Sequence, residues 1–166
     1  MSFTALRHAT KTVRPVGMPV LKGCRTIITP TKVQYTASAT ATGGGRTGSV
    51  TVSDAVAPLN APFKLALPKA MGGNGDGVNP EQIFSAGYSA CYLGALHAAA
   101  KKAGKEIPNA SVEVLTSIGP EEVGFALLVE LKIKGVNDQS IVDLAHKICP
   151  YSKALKYGVQ TKSTLV

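Results

Sequence analysis

Alternating and helical patterns of hydrophobic positions divide this chain into predicted strands and helices. Six runs alternate polar with apolar residues or are rich in β-branched residues, and each of them predicts a strand. They cover residues 33–42, 49–53, 63–67, 110–117, 124–134 and 159–166. The turn GGGRTG joins the first two runs, and IGPEEVG joins the fourth to the fifth.

The longest predicted element is a helix from Asn79 or Pro80 to about Ala103. Asn79 is a favourable cap, Pro80 suits the first turn, and Gly104 provides a stop. The helix carries many small residues, which let another backbone approach closely. We therefore expect a central helix that is buried against a sheet or against a partner helix.

A second helix is predicted over residues 138–148, where Ile141, Leu144 and Ile148 recur at helical spacing. Pro150 biases the preceding Cys149 away from helical geometry, so Cys149 is expected at the frayed C-terminal end of this helix. A thiol at a frayed end has the freedom that a resolving cysteine needs. The element order predicts an α+β fold with largely antiparallel sheets, a long central helix and a second helix.

The net charge of +8 would suggest nucleic-acid binding if it were evenly spread, but it lies in the first third of the chain. Residues 1–53 carry seven Lys and Arg and no acid, whereas residues 54–166 carry eleven basic and ten acidic side chains. The body is nearly neutral and shows no basic groove with interleaved aromatic residues, so a nucleic-acid partner is not expected. No apolar run approaches the roughly 20 residues of a membrane span.

Residues 1–32 form a basic leader, and residues 33–166 form the predicted domain. The leader bears Arg, Lys, Ser and Thr without acids, which is the composition of an organelle transit peptide. A disordered basic tail in a cytoplasmic protein is the alternative interpretation. Cys24 lies in this leader and is not expected to take part in chemistry.

Two distant thiols in the body, Cys91 and Cys149, do not form a disulfide framework or a CxxC motif. A cysteine inside a helix is often a small buried hydrophobe, and this applies to Cys91 as readily as a nucleophilic role. A nucleophilic thiolate would need a nearby cation. Arg46, at the tip of the first hairpin, is a candidate cation, although a solvated turn residue is the simpler interpretation.

Glu81 precedes Cys91 by ten residues, which is about 15 Å of rise on one continuous helix. The simpler interpretation is a first-turn acid that complements the helix dipole. If Glu81 instead serves a Cys91 site, either the helix starts later than Glu81 or Glu81 comes from a neighbouring subunit. His146 would share a helix face with Cys149, and an exposed or capping histidine is favoured over a Cys–His pair. No third ligand accompanies these residues, so no metal site is predicted.

Several stretches together resemble the OsmC/Ohr family, and specifically its organic hydroperoxide resistance (Ohr) branch. They are YTASATATGGGRTG, GVNPEQIFSAGYSACYLGAL, SIGPEEVGFALLVEL, AHKICPYS and the terminal VQTKSTLV. The pairing of NPEQxFxxGYxAC with a distant CPYS is highly specific. Three glycines precede Arg46 where the family pattern has two, so the assignment of Arg46 assumes a one-residue insertion.

The resemblance implies a thiol-dependent peroxidase that reduces organic and lipid hydroperoxides to alcohols. It implies that Cys91 is the peroxidatic cysteine and Cys149 the resolving cysteine. Arg46 would activate the thiolate, and Glu81 would hold Arg46 by a salt bridge. The family also implies an intertwined homodimer with no metal or organic cofactor, which dihydrolipoyl groups on lipoylated proteins would recycle.

Four further side chains are expected to wall an apolar substrate pocket, from their helical proximity to the two thiols: Phe84, Tyr88, Ile148 and Tyr151. Such a pocket would favour alkyl hydroperoxides over hydrogen peroxide. The leader and the lipoyl reductant together suggest a mitochondrial location. A general OsmC-type peroxidase with another reductant, and a non-catalytic redox sensor or fatty-acid-binding module, are the alternatives.

Overall fold

The computed structural model describes residues 27–56 and 59–165, which form a mixed α+β fold. The strands in this part of the chain are β1 (Ala39–Thr42), β2 (Ser49–Val52), β3 (Phe63–Lys64), β4 (Ser111–Glu121) and β5 (Gly124–Lys134). The helices are α1 (Pro80–Lys102), α2 (Gln139–Ile148) and α3 (Pro150–Tyr157). Both sheets are antiparallel. The predicted α+β class with a long central helix is therefore confirmed.

The first sheet is small and has the strand order β1–β2–β3. The strand predicted from residue 33 begins only at Ala39, because β2 ends at Val52 and the chain then turns at Asp54, whose φ is +56°. Residues 33–37 therefore have no partner in this sheet. The turn between β1 and β2 is a short 3-10 helix, Gly45–Thr47, which places Arg46 at its tip.

Helix α1 begins and ends as the sequence predicts. Asn79 and Gln82 form a capping box, in which each side chain accepts a hydrogen bond of 2.9 Å from the backbone N–H of the other residue. Pro80 occupies the first turn, where its missing N–H costs nothing. The helix ends at Lys102, and Gly104 follows in a left-handed conformation with φ of +67°.

Helix α1 supplies most of the core, and it packs against β4 on one side and α2 on the other. Tyr92, Leu96 and Ala99 of this helix are completely buried. The second half of β5 alternates inward-facing apolar residues with exposed polar ones, as a half-buried strand should. The packing of this buried face fixes the orientation of α1, and with it the positions of the other residues on the helix.

The β4–β5 hairpin is longer than predicted, because β4 continues to Glu121, next to a two-residue turn at residues 122–123, whereas β5 has the predicted range. Gly124 closes the turn with φ of +114°, a conformation that other residues rarely adopt. Near this turn, three large apolar side chains of β5 are exposed: Phe125, Leu127 and Leu128. The tip of the hairpin therefore presents an apolar surface that the described part of its own chain does not cover.

Cys149 ends α2 in an extended conformation, with φ of −64° and ψ of 123°, as Pro150 predicts. The expected frayed end was wrong, because Cys149 is a buried junction between two helices. Its N–H donates to Ala145 O at 2.8 Å, and its own carbonyl accepts from Lys153 N at 3.0 Å. Pro150 ends α2 but also starts α3, because proline is well suited to the first position of a helix. The sequence reasoning missed α3 by treating Pro150 only as a terminator.

The predicted strand at 159–166 is also wrong for the described residues, since 159–165 have no regular structure. A strand needs a hydrogen-bonded neighbour, and no strand of residues 27–56 or 59–165 lies alongside this segment.

Among all the described residues, no helix is both long and apolar enough to cross a bilayer.

Candidate active site

The two thiols of the body lie side by side. Cys91 on α1 and Cys149 at the α2–α3 junction are 58 residues apart in sequence, yet their sulfur atoms are 3.5 Å apart. Both are free thiols; Cys91 is partly exposed, and Cys149 is completely buried. A disulfide between them would require the sulfurs to approach by roughly 1.5 Å, which side-chain rotation can supply. Cys24, by contrast, lies outside the described residues.

Within a single chain the Cys91 thiol is not activated. Burial raises its pKa because a thiolate loses hydration, and the neighbouring Cys149 raises it further. The backbone N–H of Tyr151, in the first turn of α3, acts in the opposite direction. A reactive thiolate therefore needs a cation that these contacts do not provide.

Arg46 and Glu81 form an ion pair that joins the first sheet to the start of α1. The distance from Arg46 Nη2 to Glu81 Oε2 is 2.5 Å, and the Glu81 side chain is only 13% exposed. Arg46 Nε is buried and makes no hydrogen bond within the described residues. The guanidinium is thus held by one carboxylate and has donor capacity left for another acceptor.

The ion pair and the thiol pair are separate within one chain. Glu81 and Cys91 lie on the uninterrupted helix α1, ten residues apart, which corresponds to about 15 Å of helical rise. Glu81 fixes the Arg46 guanidinium in the first turn of α1, and Arg46 is not among the described groups that shift the pKa of Cys91. Within the described residues, the cation and the thiol pair therefore do not act on each other.

Three of the four residues expected to form the pocket are grouped in space. The ring centroids of Phe84 and Tyr88 are 5.9 Å apart, those of Phe84 and Tyr151 are 6.3 Å apart, and those of Tyr88 and Tyr151 are 5.8 Å apart. Tyr88 is buried, whereas Tyr151 is 40% exposed. Ile148, like Phe84, packs against the hydrophobic core to which Tyr88 belongs.

A glycine on α1 makes room for the Tyr151 ring. A Cβ on Gly87 would lie 3.2 Å from Tyr151 Oη and 3.4 Å from its Cε2 atom. Tyr151 can therefore rest directly on the surface of α1, one turn before Cys91. This close approach explains one of the small residues whose function the sequence left open.

Sequence reasoning missed Ser152, which is buried beside the two thiols. Its hydroxyl lies 2.9 Å from Tyr88 Oη and 3.2 Å from His146 Nδ1. The serine is part of the motif HKICPYS, but its contacts depend on α3, which was not predicted.

Residues 27–56 and 59–165 contain no group of three His, Cys, Asp or Glu side chains that could hold a metal ion.

A sequence model of the OsmC-like protein family matches residues 73–164 of this chain. The organic hydroperoxide resistance protein of Xanthomonas axonopodis pv. citri (strain 306) is 44% identical over 143 residues, which cover 82% of this chain and 97% of that protein. The chain belongs to the OsmC/Ohr family. Its Glu81, Cys91 and Cys149 all lie within the matched residues, whereas Arg46 precedes them.

Solved structures of OsmC/Ohr proteins show the same fold. The organic hydroperoxide resistance protein OhrB of Bacillus subtilis is 38% identical, with a TM-score of 0.64 over 76% of this chain and 95% of that one. An organic hydroperoxide resistance protein from Elizabethkingia anophelis, with thiocyanate bound, is 40% identical, with a TM-score of 0.66 over 78% and 94% of the two chains. The OsmC/Ohr fold assigned from the sequence is therefore correct.

Proposed function

We propose that this protein is a thiol-dependent peroxidase that reduces organic hydroperoxides to alcohols through Cys91 and Cys149. The observation that carries the proposal is the 3.5 Å separation of the two sulfurs, one partly exposed and one buried. The relatives named organic hydroperoxide resistance proteins support a role in detoxifying this class of peroxide. Substrates would be alkyl or lipid hydroperoxides.

The first step consumes the peroxide. The Cys91 thiolate attacks the distal oxygen of ROOH, so that an S–O bond forms and the O–O bond breaks. The alkoxide leaves and takes up a proton as ROH, and Cys91 becomes a sulfenic acid. The partial exposure of Cys91 gives a peroxide access to this sulfur, whereas Cys149 is shielded from it.

The second step protects the oxidised cysteine. The Cys149 sulfur attacks the Cys91 sulfenic acid, an S–S bond forms, and the oxygen leaves as water. A dithiol must then supply two electrons and two protons to regenerate both thiols. Dihydrolipoyl groups, either free or on a lipoylated protein, are the proposed reductant, and no metal or organic cofactor is required.

The site is completed in a homodimer, in which Arg46 and Glu81 of one subunit face Cys91 and Cys149 of the other. Two observations support this arrangement. The ion pair is remote from the thiol of its own chain, and that thiol has a raised pKa there. The exposed apolar tip of the β4–β5 hairpin also provides a surface that a second subunit would bury. Across the interface, Arg46 would lower the pKa of Cys91 and stabilise charge on the leaving oxygen.

Substrate preference would come from the aromatic side chains beside Cys91. Phe84 and Tyr151 have nearly parallel rings, with an interplanar angle of 25°, and Tyr88 lies behind them. An alkyl chain resting on such rings gains hydrophobic contact that hydrogen peroxide cannot make. The proposal therefore includes a preference for alkyl over hydrogen peroxide.

Steady-state turnover tests the enzymatic proposal. Purified protein is supplied with tert-butyl hydroperoxide and dihydrolipoamide, and wild type is compared with Cys91→Ser and with Cys24→Ser. Turnover should be lost in Cys91→Ser and retained in Cys24→Ser, since Cys24 belongs to the leader and is not expected to take part in chemistry. A wild-type rate no higher than that of Cys91→Ser would rule out the enzyme and leave a redox sensor or binding module. Turnover with a different thiol only would favour the general OsmC-type peroxidase.

The proposed mitochondrial location rests on the acid-free basic leader, residues 1–32, of which only residues 27–32 are described. A fusion of residues 1–34 to a fluorescent protein should enter mitochondria. A fusion that stays in the cytosol would contradict this location, without affecting the proposed chemistry.

A further inference from the structure

One buried serine hydroxyl connects the three helices that surround the thiol pair. Ser152 on α3 is 8% exposed, and its Oγ lies 2.9 Å from Tyr88 Oη on α1 and 3.2 Å from His146 Nδ1 on α2. Tyr88 is 3% exposed. We refer to Tyr88, Ser152 and His146 as the hydroxyl network.

The hydroxyl network brackets both cysteines at helical spacing. Tyr88 precedes Cys91 by three residues on α1, while His146 precedes Cys149 by three and Ser152 follows it by three. Residues before and after Cys149 therefore belong to one hydrogen-bonded network, which holds the α2–α3 junction against α1, the helix that carries Cys91. Two further contacts join α1 to α2. Tyr92 Oη donates to Val142 O at 3.1 Å, and the His146 ring centroid lies 4.6 Å from that of Tyr92.

We propose that Ser152 is a positioning residue for the second step, holding the Cys149 sulfur next to Cys91 through its hydrogen bonds to Tyr88 and His146. This role rests on the proposed peroxidase function. In that step the Cys149 sulfur forms the S–S bond while the S–O bond of the sulfenic acid breaks and water leaves. Any loosening of the α2–α3 junction lengthens the 3.5 Å sulfur separation and gives a second peroxide time to oxidise Cys91 to the sulfinic acid.

The direction of the hydrogen bonds in the network depends on the protonation of His146. A neutral imidazole can accept at Nδ1 from the Ser152 hydroxyl, which leaves the serine oxygen free to accept from Tyr88 O–H. A protonated imidazole can only donate at Nδ1, so the serine oxygen then accepts from His146 and the serine hydroxyl donates to Tyr88 Oη instead. Protonation therefore reverses the network and places a charge on a partly buried ring, and this cost is expected to weaken the hold on Cys149.

The surroundings of His146 favour its neutral form. Burial lowers the pKa of His146, Asp143 on the same helix opposes this shift, and Lys156 of α3 adds to it. From α1, the side chains that face the ring are Tyr92 and, through Ser152, Tyr88. The ring also lines a cavity of about 640 Å³ with Lys147, Lys153 and Tyr157, so it can exchange protons with solvent.

The test separates the two chemical steps in single-turnover quenched flow with tert-butyl hydroperoxide, followed by mass spectrometry of Cys91. The quantity measured is the ratio of the rate of disulfide formation to the rate of sulfenic acid formation. Ser152→Ala should lower this ratio about tenfold, the effect of losing one or two buried hydrogen bonds. Tyr88→Phe, which keeps the ring and removes only the hydroxyl, should lower it in the same direction. Ser89→Ala is the matched control, because among the described residues that hydroxyl donates only to Ala86 O on its own helix.

The pH dependence gives a readout that a purely structural serine would not change. The wild-type ratio should fall as the pH decreases below 6.5, because the lowered pKa of His146 delays its protonation to that range. His146→Asn, which keeps a neutral polar group near the Nδ1 position, should retain only the change due to thiol ionisation. An unaltered ratio in both Ser152→Ala and Tyr88→Phe would contradict the positioning role of Ser152 but not the peroxidase function. Identical pH profiles for wild type and His146→Asn would have the same consequence. A wild-type protein that forms no Cys91 sulfenic acid would overturn the peroxidase function as well.

Discussion

Glu81 and Cys91 lie on the same uninterrupted helix but about 15 Å apart along its axis, so the Arg46–Glu81 ion pair is remote from the thiol of its own chain. The family resemblance assigns both to one site. The separation along α1 and the family assignment are compatible if the dimer has two sites. The first turn of each α1 helix, with Glu81, would then belong to one site, and the middle of the same helix, with Cys91, to the other. Such an arrangement would make the proposed dimer a requirement for the proposed catalysis.

Mixed dimers test whether the two halves of the site come from different subunits. Arg46→Ala and Cys91→Ser chains are each expected to be nearly inactive alone. After unfolding and refolding together in equal amounts, about half of the dimers are mixed, and each mixed dimer has one complete site of two. About a quarter of the wild-type activity should therefore return. If Arg46 acts within its own chain, the mixture stays as inactive as its components.

A charge on the exposed hairpin tip should weaken the dimer. Leu128 is 72% exposed in the single chain, and burying a glutamate in its place against a second subunit would be unfavourable. Leu128→Glu should shift the mass measured by light scattering towards that of a monomer. Val56→Glu is the control, because Val56 is 82% exposed but lies outside the hairpin. Equal masses for the two variants would indicate that the hairpin tip is not at the interface.

Removing the buried thiol should separate the two chemical steps. Cys149→Ser should still reduce about one peroxide per Cys91, because the attacking sulfur is unchanged. It should then lose activity as Cys91 proceeds to the sulfinic acid, which mass spectrometry detects as a gain of two oxygen atoms. Undiminished multiple turnover by Cys149→Ser would exclude the resolving role of this residue.

Gly87 and Gly94 on α1 form a matched pair for testing the position of Tyr151. Replacing a helical glycine with alanine ordinarily stabilises a helix by about 1 kcal/mol. Gly94→Ala should show this gain, since a Cβ there meets no atom within 4 Å. Gly87→Ala should gain less or lose stability, because its Cβ must displace the Tyr151 ring, and its KM for tert-butyl hydroperoxide should rise. Urea unfolding and steady-state kinetics measure the two effects.

His146 should make the folded protein less stable in mild acid. Burial lowers its pKa below the usual 6.5, so the unfolded chain binds a proton at this residue more readily than the folded chain. The free energy of unfolding therefore falls as the pH decreases through 6.5 and continues to fall down to the lower pKa of the folded state. The urea midpoint of wild type minus that of His146→Asn should decrease over this range. A constant difference would show that His146 titrates alike in both states.

The sequence by itself determined the elements whose causes are local. The capping box of Asn79 and Gln82, with Pro80 after the cap and Gly104 at the end, placed α1 to within one residue. Alternation of apolar positions identified the hairpin partners β4 and β5, and their antiparallel pairing followed from the short turn. The motifs around Cys91 and Cys149 identified the family, because they are specific residue patterns that need no coordinates to recognise.

Only the tertiary structure decided what happens where distant segments meet. Pro150 is compatible with both the end of one helix and the start of another, and the structure shows both, with Cys149 between α2 and α3. The family resemblance implied the Cys91–Cys149 pair and the Arg46–Glu81 salt bridge, but only the structure supplies their geometry and the bond of Ser152 to Tyr88. These three contacts join residues that are 58, 35 and 64 positions apart. Such contacts depend on how whole helices and sheets pack, and no pattern of neighbours along the chain specifies that.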